Sequence, residues 1–186
     1  MGLLTFALNI TLDGCCDHRA VVADDEMHRY WTRVMDASEA MLFGRRTYEL
    51  MEDAWPQVAR DPQASPADRD WARKLEAKPK HVVSTTRSDF PWSNTHHVQG
   101  DLTTAVKALK ASTPGGVLVG SPQLSAALQR LGLVDEYRFV LHPVVAGHGP
   151  YLFQGLQPSP RLDFVAATRL RSGIVALHYR RRQPPP

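Results

Sequence analysis

The chain reads as an α/β protein with a mixed, mostly parallel sheet, helices on both faces and an antiparallel C-terminal edge. From Leu3 to Gly132, short apolar runs alternate with segments whose apolar residues recur at helical spacing, the pattern of repeated strand–helix units. After Gly132 the helical period stops and only strand-like alternation remains. A length of 186 residues with 43% hydrophobic and 22% charged residues fits one globular domain with its own core. We assign that domain to residues 1–182, with a flexible Pro-rich tail at 183–186.

Leu3 to Ile10 is an apolar, strand-like opening ended by the Asp13-Gly14 turn. Asp24 to Ser38 follows as a helix, with Met27, Tyr30, Trp31, Val34 and Ser38 on one face and Asp25 and Glu26 at its positive end. Ala40 to Phe43 suits a buried strand, and Arg45 to Met51 a short helix. Pro56 to Pro79 is polar and looks inserted. Within it, Ser65-Pro66-Ala67-Asp68 has the form of a capping box with proline at the first helical position, and Ala67, Trp71 and Leu75 form a stripe. His81 to Ser84 and Thr95 to Val98 read as strands, and Asp101 caps a helix carrying Leu102, Ala105, Val106 and Leu109. Val117 to Val119 is another buried-strand run. Ser121-Pro122 opens a helix that Gly132 ends. Tyr137 to His142 alternates as a strand. Leu162 to Leu170 and Ile174 to Arg181 form a hairpin about Arg171-Ser172-Gly173.

Composition excludes several classes. The net charge of +3 comes from Arg180, Arg181 and Arg182; without them the balance is zero, and no internal basic stripe suggests a nucleic-acid partner. No apolar run approaches the roughly 20 residues of a membrane span, and Met1 to Ile10 lacks the features of a secretory signal, so a cytoplasmic protein is expected. Adjacent Cys15 and Cys16 fit neither a zinc spacing nor a C-x-x-C pair; they read as reduced thiols in a loop, with a vicinal disulfide or a reactive thiol as alternatives. The eight histidines form no metal motif, and no metal site is predicted.

Ligands of open α/β sheets collect where strand C-termini meet helix N-termini. Gly44-Arg45-Arg46-Thr47 is one such junction. Glycine lets the backbone approach a ligand, helix N–H groups face outward, Thr47 adds a hydroxyl, and two guanidiniums suit a phosphate. A glycine-initiated helix with solvated arginines explains the same residues equally well. Gly120-Ser121-Pro122-Gln123-Leu124 is a second junction, for which N-cap chemistry at Ser121 and Pro122 is already sufficient. Two anion-friendly helix starts in one small domain are more telling than either alone. Ser84-Thr85-Thr86-Arg87, at the end of a third strand, adds hydroxyls and a cation, or is simply a hydroxyl-rich turn.

Asn9-Ile10-Thr11-Leu12-Asp13-Gly14, GRRTYE at 44–49, Val83 to Thr86 and the stretch Val119 to Phe153 resemble the dihydrofolate reductase-like superfamily. Within it, the chain resembles more closely the reductase domains of bacterial riboflavin biosynthesis and their stand-alone relatives. The motifs keep the family's order from about residue 2 to 180. The resemblance implies a three-layer reductase fold, NADPH as cofactor and a homodimer. Residue by residue, it places Gly44, Arg45, Arg46 and Thr47 on the cofactor's phosphates, Ser84, Thr85 and Thr86 beside the adenosine, and Gly120, Ser121 and Leu124 against the pyrophosphate. Arg45, Arg46 or Arg87 would meet the ribose phosphate and favour NADPH over NADH.

The chain departs from the family's pattern in two places. Folate-reducing members hold the pterin with a carboxylate in the first long helix, where this chain has Tyr30, Trp31, Val34 and Met35; dihydrofolate itself is not the expected substrate. Val145-Ala146-Gly147-His148-Gly149 interrupts a glycine run, so that loop should differ in shape. The expected reaction is hydride transfer from NADPH to a small polar or heterocyclic C=N or C=O compound, pterin-like or ribosylaminopyrimidine-like. The 5-amino-6-(5-phosphoribosylamino)uracil reductase type is included. Asp17 and His18 are the candidate catalytic residues, as proton donor or orienting group, and Asn9, Asp13, Trp55, Glu136 and Phe153 are candidate substrate contacts. Each also has a plainer reading: turn or solvated loop for Asp13, Asp17 and His18, exposed strand face for Glu136 and His142, core for Trp55 and Phe153. The alternative class is a nucleotide-binding regulatory module that keeps the fold without efficient catalysis.

Overall fold

Alternation within single strands shows how the core is divided. In β2 (Ala40–Gly44), Met41 and Phe43 point to one face and Leu42 to the other; in β5 (Val117–Val119), Leu118 opposes Val117 and Val119. Strands covered on both faces need apolar residues on both, which is why these runs are continuously hydrophobic. The protein is described by a computed structural model over residues 1–21, 23–155 and 159–182. The expected tail at 183–186 lies outside them.

Among the described residues, eight strands form one sheet. In chain order they are β1 (Leu4–Thr11), β2, β3 (Lys80–Val83), β4 (Thr95–Val98), β5, β6 (Glu136–His142), β7 (Leu162–Arg169) and β8 (Val175–Arg181), arranged β4-β3-β2-β5-β1-β6-β8-β7. All pairs from β4 to β6 are parallel, whereas β8 runs antiparallel to β6 and to β7. On one face, α1 (Asp25–Asp36), α2 (Arg45–Val58) and α3 (Pro66–Ala77) bury Met27, Trp31, Tyr48, Trp71 and Leu75 against Ala7, Phe43 and Val82. On the other, α4 (Leu102–Ser112) and α5 (Pro122–Arg130) bury Val106, Leu109, Leu124 and Leu128 against Leu4, Phe6, Leu42 and Val119. The result is three layers, as the sequence predicts.

Two expectations need correcting. The helix after β2 does not stop at Met51. It continues to Val58 through Pro56, whose missing N–H falls in the last turn, where it costs one helical hydrogen bond near the C-terminus. Nor is the segment Pro56 to Pro79 an insertion. Its helix α3 has Ser65 as N-cap and buries Ala67, Trp71, Ala72 and Leu75 against the core. Beside it, Lys80 is fully buried and donates from Nζ to the carbonyls of Leu75, Glu76 and Lys78 at 2.8–2.9 Å, closing the C-terminus of α3. Burial pushes its ammonium down to about 8.

Candidate functional site

The parallel register brings the predicted junctions to one rim. Gly44 pairs with Val83, and Leu42 with Val119, so Ser84, Gly44 and Gly120 follow the C-terminal ends of three adjacent strands. The chain leaves β2 for the face of α2 but leaves β5 for the opposite face of α5. Adjacent strands that diverge in this way open a crevice between them.

Helix capping separates this crevice from the rest of the molecule. Asp24, Ser65 and Asp101 each accept a first-turn N–H of α1, α3 and α4. At α2 the N-cap is Gly44, with no side chain to offer, and at α5 the N-cap Ser121 makes no capping bond. Its hydroxyl accepts the Gly44 N–H instead, at 2.9 Å. Two helix starts thus meet at the crevice with first-turn donors that no side chain caps, a ready anion site. Space is kept by glycine: a Cβ on Gly44 would lie 3.5 Å from Leu124 Cβ, and one on Gly120 would lie 3.5 Å from the Ala7 carbonyl. At these distances a Cβ would make ordinary contact, so the two glycines spare the rim two side chains.

Around the crevice, Arg45, Arg46 and Thr47 form the first turn of α2, with Arg46 exposed. Arg45 pairs with Glu49, and Arg87 with Glu52. Ser84 Oγ accepts the N–H groups of Thr86 and Arg87, shaping the turn and leaving Thr85 and Thr86 exposed.

Most of the substrate-side candidates are tied to protein partners. Asn9, on β1 next to the crevice, accepts from Trp31 Nε1 at 2.9 Å. Asp13 accepts from Thr11 Oγ1 and from the N–H groups of Ala146 and Gly147, and these bonds hold its carboxyl down to about 2. It is a latch between the loops after β1 and β6. Asp17 caps a 3-10 turn over His18–Ala20, and the Arg19 side-chain hydrogen bonds keep it well below the carboxylate range. A carboxylate so held is a poor proton donor at neutral pH. His18 is largely exposed.

Glu136, Trp55 and Phe153 have protein partners of their own. Glu136 starts β6 at the opposite rim, where Arg180 and His178 face it; although burial opposes its charge, these partners draw its carboxyl below the usual range. Being paired and buried, it is not the exposed strand position the sequence suggests. Trp55 packs on Trp71 between helices, and Phe153 stacks edge-on to Phe6 and Phe139, so both are core-packed. His142, 2% exposed at the end of β6, is buried, and burial lowers its basicity. Cys15 and Cys16 are free thiols. Among the described residues no cluster of three or more His, Cys, Asp or Glu could hold a metal, and no helix is long and apolar enough to cross a membrane.

A mostly parallel sheet with an antiparallel edge, helices on both faces and two helix starts meeting at its switch point defines a three-layer α/β protein. The chain belongs to the RibD C-terminal domain family, whose model matches residues 3–176; it is a family of NADPH-using reductases. The chain is 26% identical over 178 residues to the uncharacterized protein YyaP of Bacillus subtilis (strain 168), covering 92% of this chain and 91% of that one. Its fold is similar to a putative riboflavin biosynthesis protein from Shewanella sp. PV-4 (TM-score 0.72, 18% identity, 98% of this chain and 100% of that one). It is also similar to a pyrimidine reductase-like protein from Corynebacterium diphtheriae (TM-score 0.67, 12% identity, 98% and 93%).

Proposed function

We propose that this protein is an NADPH-dependent reductase acting on a small polar or heterocyclic C=N or C=O compound, pterin-like or ribosylaminopyrimidine-like. The observation that carries the reading is the meeting of two helix starts without side-chain caps at the Gly44–Ser121 contact. Backbone donors of Arg46, Thr47 and the first turn of α5 would hold the pyrophosphate, and Gly44 and Gly120 admit it. From β3 to β1 the rim crosses three strand spacings, roughly 14 Å, which suits an extended dinucleotide. Ser84, Thr85 and Thr86 would then flank the adenosine, and Asn9 the nicotinamide end.

NADPH, when bound, supplies the hydride. The chain's part is to place the acceptor against it and keep water out. Asn9, fixed by Trp31, offers its amide N–H₂ to orient a polar ring. Asp17 and His18 remain the candidates nearest the end of β1 for orienting a substrate. The expected assembly is a homodimer, for which exposed Phe164 and Val165 on edge strand β7 offer apolar surface. Titrating the full chain with NADPH and following tryptophan quenching tests the reading. Saturable binding tighter than for NADH supports it, and no binding overturns it.

One observation favours a second reading, a nucleotide-binding module without efficient turnover: Asp13 and Asp17 are both held ionised, so neither is poised to give a proton. Steady NADPH oxidation with pterin, ribosylaminopyrimidine or quinone-like acceptors favours the enzyme. Tight binding with no turnover on any of them favours the module.

A further inference from the structure

Three guanidiniums stand near the opening of α2, and carboxylates already answer two of them. Arg45 reaches one helical turn along α2, away from the N-terminus, and donates to both oxygens of Glu49 at 3.0 Å. Arg87 makes a two-point pair with Glu52 at 2.9 and 3.2 Å and lies over the Tyr48 and Phe90 rings. It also stands 3.6 Å from Glu49. Arg46 is exposed, and among the described residues no carboxylate lies within ion-pair distance of it. The charges of Arg45, Arg87, Glu49 and Glu52 cancel, leaving Arg46 as the unanswered cation at this end of the crevice.

We propose that Glu49 sets the cofactor preference, competing with the ribose phosphate for Arg45 while Arg46 stays available to it. This rests on the reductase reading. NADPH and NADH differ by one phosphate ester, which brings close to two negative charges at neutral pH. Glu49 weakens the response to that group twice: it repels the phosphate and it holds Arg45 turned away. The Arg45–Glu49 pair is partly exposed and spaced i,i+4, a weak class of ion pair that a dianion can open. Arg87 differs, because Glu52 is more enclosed and two aromatic rings fix the guanidinium. Glu49 is therefore the tunable member of the network, and Glu52 its anchor.

The test compares NADPH and NADH dissociation constants for the full-length wild type, Glu49→Gln and Arg46→Gln. Glutamine keeps the size of Glu49 and removes its charge. The expected result is a roughly three- to tenfold gain for NADPH in Glu49→Gln with NADH unchanged. Arg46→Gln should lose a similar factor for NADPH alone. Added salt should shrink both effects, because the pair is screened. If wild type binds NADPH but Glu49→Gln leaves the NADPH/NADH ratio within twofold, the Glu49 proposal falls and the reductase reading stands. If wild type binds neither cofactor, both fall. Thermal melts confirm folding; should Glu49→Gln be unstable, Arg45→Gln replaces it, and a loss of NADPH affinity there supports the same competition, whereas an unchanged affinity overturns it.

Discussion

Gly44 donates its backbone N–H to the hydroxyl of Ser121 at 2.9 Å across 77 residues of sequence. The bond ties the end of β2 to the start of α5 and diverts Ser121 from capping its own helix. Ser121→Ala removes the tie. Stability should fall by about 1 kcal/mol, the net worth of one such bond, and NADPH affinity about tenfold as the two donor sets lose their mutual alignment. Chemical denaturation and fluorescence titration on the same preparation separate the two effects.

Gly44→Ala probes the crevice itself. Its φ of −81° is open to any residue, and the added Cβ would sit at ordinary van der Waals distance from Leu124. Stability should therefore stay within about 0.5 kcal/mol of wild type, as for a surface change without a named clash. Cofactor affinity should drop by tenfold or more, because the methyl group occupies space the phosphates need. A loss of stability without a loss of binding would contradict the assignment.

The Asp13 latch carries a pH signature. Its carboxyl lies at about 2 in the folded protein against an ordinary 3.8, so the unfolded chain binds the proton first as pH falls. The latch's stabilisation is complete above about pH 4 and is lost as pH drops towards 2. Asp13→Asn should remove this acid-side slope and speed amide exchange at Ala146 and Gly147, read by hydrogen exchange and acid titration.

Lys80 has the same sign at the other end of the pH range. With its folded value near 8 against 10.5, the unfolded chain holds more protons between those limits, so this group's contribution to stability rises with pH there. Lys80→Met leaves the carbonyls of Leu75, Glu76 and Lys78 without their donor and should cost about 3 kcal/mol at neutral pH. The gap between wild type and variant should widen from pH 8 towards 10.5 in denaturation series.

The capping residues Ser65 and Asp101, the apolar runs of β2 and β5 and the late hairpin were legible because each follows from local chemistry: a hydroxyl or carboxylate before a helix, or a run covered on both faces. The rim was legible too, since Gly44 and Gly120 mark loop-to-helix turns. Tertiary pairings were harder to read. Glu136 looks like an exposed strand residue until β8 brings Arg180 to it, and the Trp71 partner of Trp55 comes from α3. The burial of Lys80 needed the C-terminus of α3 beside it. The Arg45–Glu49 pair, by contrast, stood in GRRTYE at i,i+4 spacing and could have been found by that rule.

The most direct test of the central claim is a crystal structure of the protein soaked with NADPH. Phosphate density is expected within hydrogen-bond reach of the first-turn N–H groups of α2 and α5, between Gly44 and Gly120. Well-defined NADPH density bound anywhere else on the molecule, with that crevice filled only by water, would contradict it.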